Sequence, residues 1–175
     1  MKAMIKTIKT IAYLIISLFV LTIYSCVPEN NTIERTPELE AAELQNILTK
    51  LVNNGYDIDT TANGVYYIMR EIGNGPTVKT GDTCFVEYAG SLPDGSIFTS
   101  SGNDSDNGIV EFVYPDEDMI PGFEEGLTVM NKGSKVDMII PSSMAYGELG
   151  TLYVPPYTTV IITTKLDDLK PAPVE

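Results

Sequence analysis

The sequence predicts an α+β fold in which an antiparallel β-sheet wraps over one short α-helix, with a longer helix before the sheet. Strand patterns separated by short turns dominate the chain from residue 64 onward. One short helical pattern, at residues 121–130, interrupts them. A longer helical pattern at residues 37–55 comes before the first strand. Because short turns join the strands, we expect the strands to run antiparallel.

The composition excludes several classes of function. The chain has 11 basic and 24 acidic residues, a formal net charge of −13, and no histidine. Nucleic-acid binding requires many Lys and Arg contacts to phosphates, so we expect no nucleic-acid partner. The lack of histidine removes every mechanism or metal site that depends on imidazole. Nothing in the sequence predicts a metal or a cofactor.

Residues 1–25 are predicted to be a signal peptide. Three lysines precede an apolar run at residues 11–23, and only 16 residues separate Lys9 from Cys26. A membrane-spanning helix needs about 20 apolar residues, so an export signal fits better than a transmembrane helix. An uncleaved signal anchor and ordinary secretion are the alternatives.

The tetrapeptide Ile23-Tyr24-Ser25-Cys26 resembles the bacterial lipobox, in which the cysteine is lipidated and becomes the new N-terminus. Tyr24 is bulkier than the residue usual at that position. Residues 26–36 are polar and aperiodic, which predicts a lipidated tether. The expected location is therefore the bacterial cell envelope, with the protein lipid-anchored to a membrane on its periplasmic or cell-surface side.

Residues 37–55 form a predicted amphipathic helix. Thr36 is placed to cap it, Pro37 suits the first helical position, and acidic residues occupy the first turn. Asn54 and Gly55 are the stop signal. The apolar residues form one stripe at helical spacing: Leu44, Ile47, Leu48, Leu51 and Val52. We favour packing of this stripe on its own domain, and docking on another chain or dimerisation is the alternative.

Further segments alternate apolar and polar residues, or are rich in β-branched and aromatic ones, and both patterns predict strands. They lie at residues 64–72, 83–89, 110–114, 136–140 and 158–166. In the second of these, Cys84 shares a face with Val86 and Tyr88. We therefore expect the Cys84 thiol to be buried.

Residues 100–108, SSGNDSDNG, have the composition of a solvated loop. Asp104 and Asp106 stand at alternate positions, as calcium ligands do, but the glycine and the distal glutamate of a calcium-binding loop are missing. We therefore favour a loop without a metal. Residues 171–175 are expected to form a flexible tail.

Residues 119–147 contain the candidate site. Phe123 and Tyr146 lie near the two ends of this stretch, and a short helix pattern followed by a strand pattern separates them. No catalytic acid, base or nucleophile is evident between them. A site built here would therefore act through its shape and through exclusion of water.

Several segments keep one order and spacing through the chain. They are VEYAG at 86–90, LPDGSIF at 92–98, IPGFEEG at 120–126, Met130 with Gly133, IPSSMAYG at 140–147, and VPP at 154–156. With these segments, residues 64–169 resemble the FKBP-type peptidyl-prolyl cis-trans isomerases. The resemblance implies a domain at residues 60–170, made of an antiparallel sheet half-wrapped around one helix with an apolar pocket between them.

The resemblance also implies which residues form the pocket. The catalytic positions are those of Tyr88, Phe98, Ile120, Phe123 and Tyr146, and the surrounding substrate pocket has Thr99, Val110, Met119, Tyr153, Val154 and Ile162. Phe123 would form the floor, and the Ile120 N–H and the Tyr146 hydroxyl would contact the bound peptide. From the residues alone, each apolar member also suits a purely structural role in the core.

The implied function is isomerisation of X–Pro bonds in exported polypeptides, which assists their folding and needs no acid, base or covalent step. One alternative is a catalytically weak or inactive FKBP-like lipoprotein that binds peptides or acts as a chaperone. Another is a structural envelope protein whose N-terminal helix makes the contacts. Thr99 replaces the family's usual aspartate, Phe123 its tryptophan, and Val110 and Ile162 aromatic residues. These departures favour slower catalysis.

Overall fold

The structure, a computed structural model, describes residues 34–173. Its helices are α1 (Pro37–Asn53), α2 (Ser101–Asp104) and α3 (Pro121–Leu127), with a 3-10 helix at Ser142–Met144. Its strands are β1 (Asp59–Thr60), β2 (Tyr66–Glu71), β3 (Thr83–Ser91), β4 (Ile97–Ser100), β5 (Val110–Val113), β6 (Lys135–Ile140) and β7 (Val160–Lys170). The predictions of a signal peptide, a lipidated Cys26 and most of the tether lie outside the described residues.

The strands form a single sheet with the order β1-β2-β6-β7-β3-β4, and every pairing is antiparallel. The first half of β3 also pairs with β5, from Thr83 opposite Val113 to Val86 opposite Val110. The longest strand, β7, lies at the centre between β6 and β3. This arrangement confirms the predicted antiparallel α+β fold.

Alternation along the strands divides the sheet into two faces. Val136, Met138 and Ile140 of β6 join the large hydrophobic cluster that includes α3, and we call this side the inner face. Ile139, between them, belongs to a small cluster with Leu44 of α1, and we call this side the outer face. The helices α3 and α1 therefore cover opposite faces of the same sheet.

The short helix α3 lies very close to the inner face. Pro121 occupies its first turn, where a missing N–H costs nothing. A Cβ added to Gly122 would come within 2.2 Å of Ile140 Cγ2, and one added to Gly126 within 2.3 Å of Met138 Sδ. These two glycines allow the close approach, because a larger residue would displace the facing side chains of Ile140 and Met138.

The longer helix α1 packs on its own sheet, as we favoured from the sequence. Thr36 caps it through a hydrogen bond that the Leu39 N–H donates to Thr36 Oγ1 over 3.2 Å. Leu44 is its buried apolar residue and contacts the cluster of Ile68 and Ile139 on the outer face. Within residues 34–173, no helix is both long and apolar enough to cross a membrane.

Residues 101–104 correct one sequence-based prediction, since they form α2 and not a loop. Ser101 is buried, and its Oγ accepts a hydrogen bond from the Tyr88 N–H over 3.0 Å and donates one to the Tyr88 carbonyl over 3.3 Å. This tertiary contact with β3 holds the short turn. Composition alone cannot show it, because Ser, Gly, Asn and Asp are typical of both loops and helix starts.

Several element boundaries also differ from the predicted ones. The helix α3 ends at Leu127 and not at Met130, because residues 128–130 continue as a turn in which the Met130 N–H donates to the Leu127 carbonyl. The strand β5 stops at Val113, one residue early. The strand β7 begins at Val160 and extends to Lys170, where it still pairs with Thr83 of β3. Cys84 is fully buried, as predicted.

Candidate active site

A cavity of about 230 Å³ opens among α3, β3, β4, β7 and the segment after β6. Its lining consists of Tyr88, Thr99, Asp118, Met119, Ile120, Phe123, Tyr146 and Ile162. Two other surface cavities are larger, about 350 and 380 Å³, but charged side chains such as Lys135 and Arg35 line them. The smaller cavity is the candidate site, because its wall is mainly aromatic and aliphatic.

Phe123 of α3 forms the floor of this cavity. It is only 3 % exposed, and the tight packing of α3 against β6 fixes its position. The Tyr88 ring meets it edge to face, with ring centroids 5.7 Å apart and planes at 62°. Ile162 of β7 adds a buried aliphatic wall. The bottom of the cavity is therefore apolar and closely packed.

Tyr146 forms one side of the rim, just after the 3-10 helix. Its ring meets the Phe98 ring of β4 edge to face, with centroids 5.7 Å apart and planes at 87°. Burial raises the pKa of the Tyr146 phenol above its ordinary value of 10.0. The phenol is therefore neutral at physiological pH and is able to donate a hydrogen bond.

The backbone at Ile120 supplies a second polar group in the wall. Ile120 caps α3 in an extended conformation, and its carbonyl accepts hydrogen bonds from the N–H groups of Phe123 and Glu124 over 3.0 and 3.3 Å. Its own N–H has no backbone partner among residues 34–173. A carbonyl oxygen of a bound peptide would satisfy this donor.

Asp104 of α2 is a rim residue that the sequence analysis missed. The Tyr88 hydroxyl donates a short hydrogen bond to its carboxylate. Burial first, and this hydrogen bond second, raise the pKa of Tyr88 to about 12. Asp104 thus brings a carboxylate to the rim from α2, five residues beyond Thr99. The sequence gives no signal for this contact, because Tyr88 and Asp104 are 16 positions apart.

The structure brings together most of the predicted site residues. Those that line the cavity are Tyr88, Thr99, Met119, Ile120, Phe123, Tyr146 and Ile162. Phe98 adjoins it through the Tyr146 ring. Three others stand outside the lining: Val110 pairs with Val86 at the start of β5, Tyr153 is 69 % exposed, and Val154 is buried in the inner cluster. Asp118 lines the cavity without having been predicted.

An antiparallel sheet packed against one short helix, with a largely aromatic and aliphatic cavity between them, defines the class of fold and site. The family model for FKBP-type peptidyl-prolyl cis-trans isomerases matches residues 75–167. The chain belongs to this family.

Relatives and solved structures agree with this assignment. The chain is 35% identical to the Escherichia coli K12 isomerase FkpA over 116 residues, 66% of this chain and 42% of that protein. It is 36% identical to a probable FKBP-type isomerase of Haemophilus influenzae over 118 residues, 67% of this chain and 47% of that protein. The chain thus spans less than half the length of these relatives.

Two crystal structures resemble this chain. FkpA from Escherichia coli superposes with a TM-score of 0.59 at 27% identity, covering 93% of this chain and 83% of that one. An isomerase from Pseudomonas syringae pv. tomato superposes with a TM-score of 0.65 at 26% identity, covering 79% and 98%. Both confirm the predicted fold.

Proposed function

We propose that the protein catalyses cis-trans isomerisation of X–Pro bonds in exported polypeptides and so assists their folding. The observation that carries this proposal is the 230 Å³ cavity with a buried phenylalanine floor. A proline ring is an apolar group of suitable size for such a floor. Membership of the isomerase family supports the same activity.

The physical basis of the reaction suits a site without acids or bases. Rotation about a peptide bond faces a barrier of about 18–20 kcal/mol, because the twisted amide loses resonance. Water stabilises the charge separation of the planar amide more than that of the twisted one. A dry cavity therefore removes ground-state solvation and favours the twisted form.

The size of the effect decides which group matters most. Bringing an event of about 100 seconds to milliseconds requires roughly 7 kcal/mol. One neutral hydrogen bond contributes a net of about 0.5–1.5 kcal/mol. We therefore assign most of the rate gain to the shape and dryness around Phe123. The Tyr146 hydroxyl and the Ile120 N–H mainly orient the peptide.

A protease-coupled assay on a proline-containing tetrapeptide tests the activity. We expect the purified protein to accelerate isomerisation above background, Phe123→Ala to lose most of the rate, and Tyr146→Phe to retain a measurable part. Loss of turnover in Tyr146→Phe with full turnover in Phe123→Ala would contradict the ranking of the two groups.

A peptide-binding role without fast turnover is the second candidate. The cavity wall has fewer aromatic side chains than the resemblance to the family implies, since Ile162 is aliphatic and Val110 does not line the cavity. Background rates from the folded protein, together with saturable binding of the same peptide, would favour this role over the first.

For the location we propose a lipoprotein of the bacterial cell envelope, anchored through acyl chains on Cys26. The lipobox-like sequence before Cys26 supports this assignment. Acyl chains contribute about 0.8 kcal/mol per buried methylene to membrane binding. Mass spectrometry of the mature N-terminus tests it, because an intact Met1 or an unmodified Cys26 would exclude lipidation.

A further inference from the structure

Glu40 of α1 is a buried carboxylate whose hydrogen bonds all go to one distant segment. It is 8% exposed. Its Oε1 accepts the Ser142 N–H over 2.7 Å and the Thr159 hydroxyl over 2.9 Å. Its Oε2 accepts a short hydrogen bond from the Ser142 hydroxyl. Glu40 thus joins the N-terminal helix to both ends of residues 142–159, which we call the rim segment.

Ser142 connects Glu40 to the backbone around Tyr146. The Ser142 carbonyl accepts the N–H groups of Ala145 and Gly147 over 2.9 and 2.8 Å, so the two residues that flank Tyr146 are both bonded to it. The same Ser142 presents its N–H and its hydroxyl to Glu40. The orientation of Ser142 therefore determines where the Tyr146 side chain stands in the cavity wall.

A second contact from the same helix end secures the far part of the rim segment. Arg35 Nη2 donates to the Tyr157 carbonyl over 3.0 Å, and Glu43 holds Arg35 through two hydrogen bonds of 3.1 and 2.7 Å. The Tyr157 N–H in turn donates to the Gly147 carbonyl over 3.0 Å. Both routes from α1 thus converge on the backbone around Tyr146.

Stabilisation of α1 on the sheet does not by itself explain a buried carboxylate at Glu40. A buried carboxylate gains little net stability over a well-packed apolar residue, since desolvation opposes its hydrogen bonds. The rest of the buried contact between α1 and the outer face is apolar, through Leu44. What the carboxylate adds is directional fixing of particular donors in the rim segment.

We propose that Glu40 is a positioning residue for the candidate site. It fixes Ser142, and through Ser142 the backbone that carries Tyr146, so α1 is part of the machinery that shapes the cavity. This proposal rests on the proposed isomerase function only for its kinetic readout. The structural part concerns the rim segment alone and is measurable without turnover.

Three variants of the full-length protein test the proposal. Glu40→Ala removes all three acceptor contacts. Glu40→Gln keeps a carbonyl oxygen for the Ser142 N–H and offers an N–H group to the Ser142 hydroxyl, which also accepts. Leu44→Ala, one turn further along α1, is the matched control, because it weakens helix packing and the hydrophobic cluster of Leu44 includes no residue of the rim segment.

Amide-resolved hydrogen exchange is the first readout. In Glu40→Ala we expect the Ala145 and Gly147 amides to exchange at least about tenfold faster relative to β3 amides. The rim segment can then open locally without first breaking its hydrogen bonds to Glu40. Leu44→Ala should not speed these two amides selectively. Equal protection of Ala145 and Gly147 in wild type and Glu40→Ala would overturn the proposal.

Isomerase kinetics are the second readout, at a temperature at which all variants remain folded. We expect kcat/KM to fall about tenfold in Glu40→Ala, because small misplacements of a site group are costly. It should fall less than about threefold in Glu40→Gln and in Leu44→Ala, a pattern that a purely stabilising role does not produce. Equal losses in Glu40→Ala and Leu44→Ala would overturn the proposal. A wild-type protein without turnover would instead contradict the proposed function and leave the exchange result to decide the role of Glu40.

Discussion

The two faces of the sheet are each covered by a helix, but the number of buried residues beneath the helix differs. On the inner face, the seven-residue α3 is part of a cluster of 16 buried hydrophobic residues. On the outer face, the 17-residue α1 belongs to a cluster that has three buried members within residues 34–173, Leu44, Ile68 and Ile139. The shorter helix is therefore the better buried one, and the cavity lies on its side of the sheet.

This difference indicates that the two faces have different roles in stability and in forming the cavity. The inner face supplies both stability and the cavity, so substitutions there should affect both. The outer face buries little, so apolar substitutions there should affect stability and leave the cavity unchanged. Four predictions test this separation, and each pairs a variant with a control.

The largest effect is expected for Phe123→Ala on the inner face. Truncating a buried phenylalanine costs about 3–5 kcal/mol of unfolding free energy. Loss of the floor should also lower kcat/KM about 100-fold, or roughly 3 kcal/mol of transition-state stabilisation. Phe112→Ala is the control, since Phe112 is buried in the same cluster but does not line the cavity. Similar rate losses in both variants would show that the floor has no special role.

Adjacent isoleucines of β6 compare the two faces directly. Ile139 and Ile140 are 1% and 0% exposed and point to the outer and inner face. Each change to alanine should cost about 2–5 kcal/mol in denaturant unfolding. Only Ile140→Ala should also lower kcat/KM, because Ile140 contacts Gly122 of α3. A rate loss in Ile139→Ala alone would reverse the assignment of the faces.

Alkaline pH should weaken the inner face through Cys84. Burial first, and the charge of Asp82 second, raise the pKa of the Cys84 thiol from 9.0 to about 11. The unfolded thiol therefore loses its proton first, and stability falls as pH rises from about 9 to about 11, by about 2–3 kcal/mol. Urea unfolding as a function of pH should show this loss in the wild type and a smaller one in Cys84→Val. Identical pH profiles would contradict it.

The smallest effect is expected at the rim. Asp104→Asn removes the carboxylate that helps to raise the pKa of Tyr88, so that pKa should fall below about 12. NMR titration of ring-labelled tyrosine measures this shift. KM should rise only about threefold, since the change is worth about one hydrogen bond. Asp106→Asn, an exposed neighbour, is the control and should change neither value.

Much of the inner face could be predicted from the sequence. Alternation in β6 and β7 placed Met138 and Ile162 on the buried side, and Pro121 with the helical spacing of Phe123, Leu127 and Met130 predicted α3. These features are local, since the spacing of residues within one element determines them. The resemblance to the family then supplied the roles of Phe123 and Tyr146.

The contacts between distant residues could not be predicted. Glu40 and Ser142 are 102 positions apart, and Glu40 looked like an ordinary acidic residue of a first helical turn. Asp104 lies in a segment whose composition suits a loop, and only the buried Ser101 turns it toward Tyr88. The family resemblance also gave Val154 a place in the pocket wall, but Val154 is buried in the inner cluster, and the sequence does not show that depth.

The edge-to-face pair of Tyr88 and Phe123 has a practical consequence for spectroscopy. The chain has no tryptophan, so its fluorescence comes from tyrosines alone. A single Phe123→Trp substitution would place one indole at the floor, beside the Tyr88 ring, whose centroid lies 5.7 Å from that of Phe123 and which can transfer excitation to the indole. Its emission would then report occupancy of the cavity in the purified protein without any added dye.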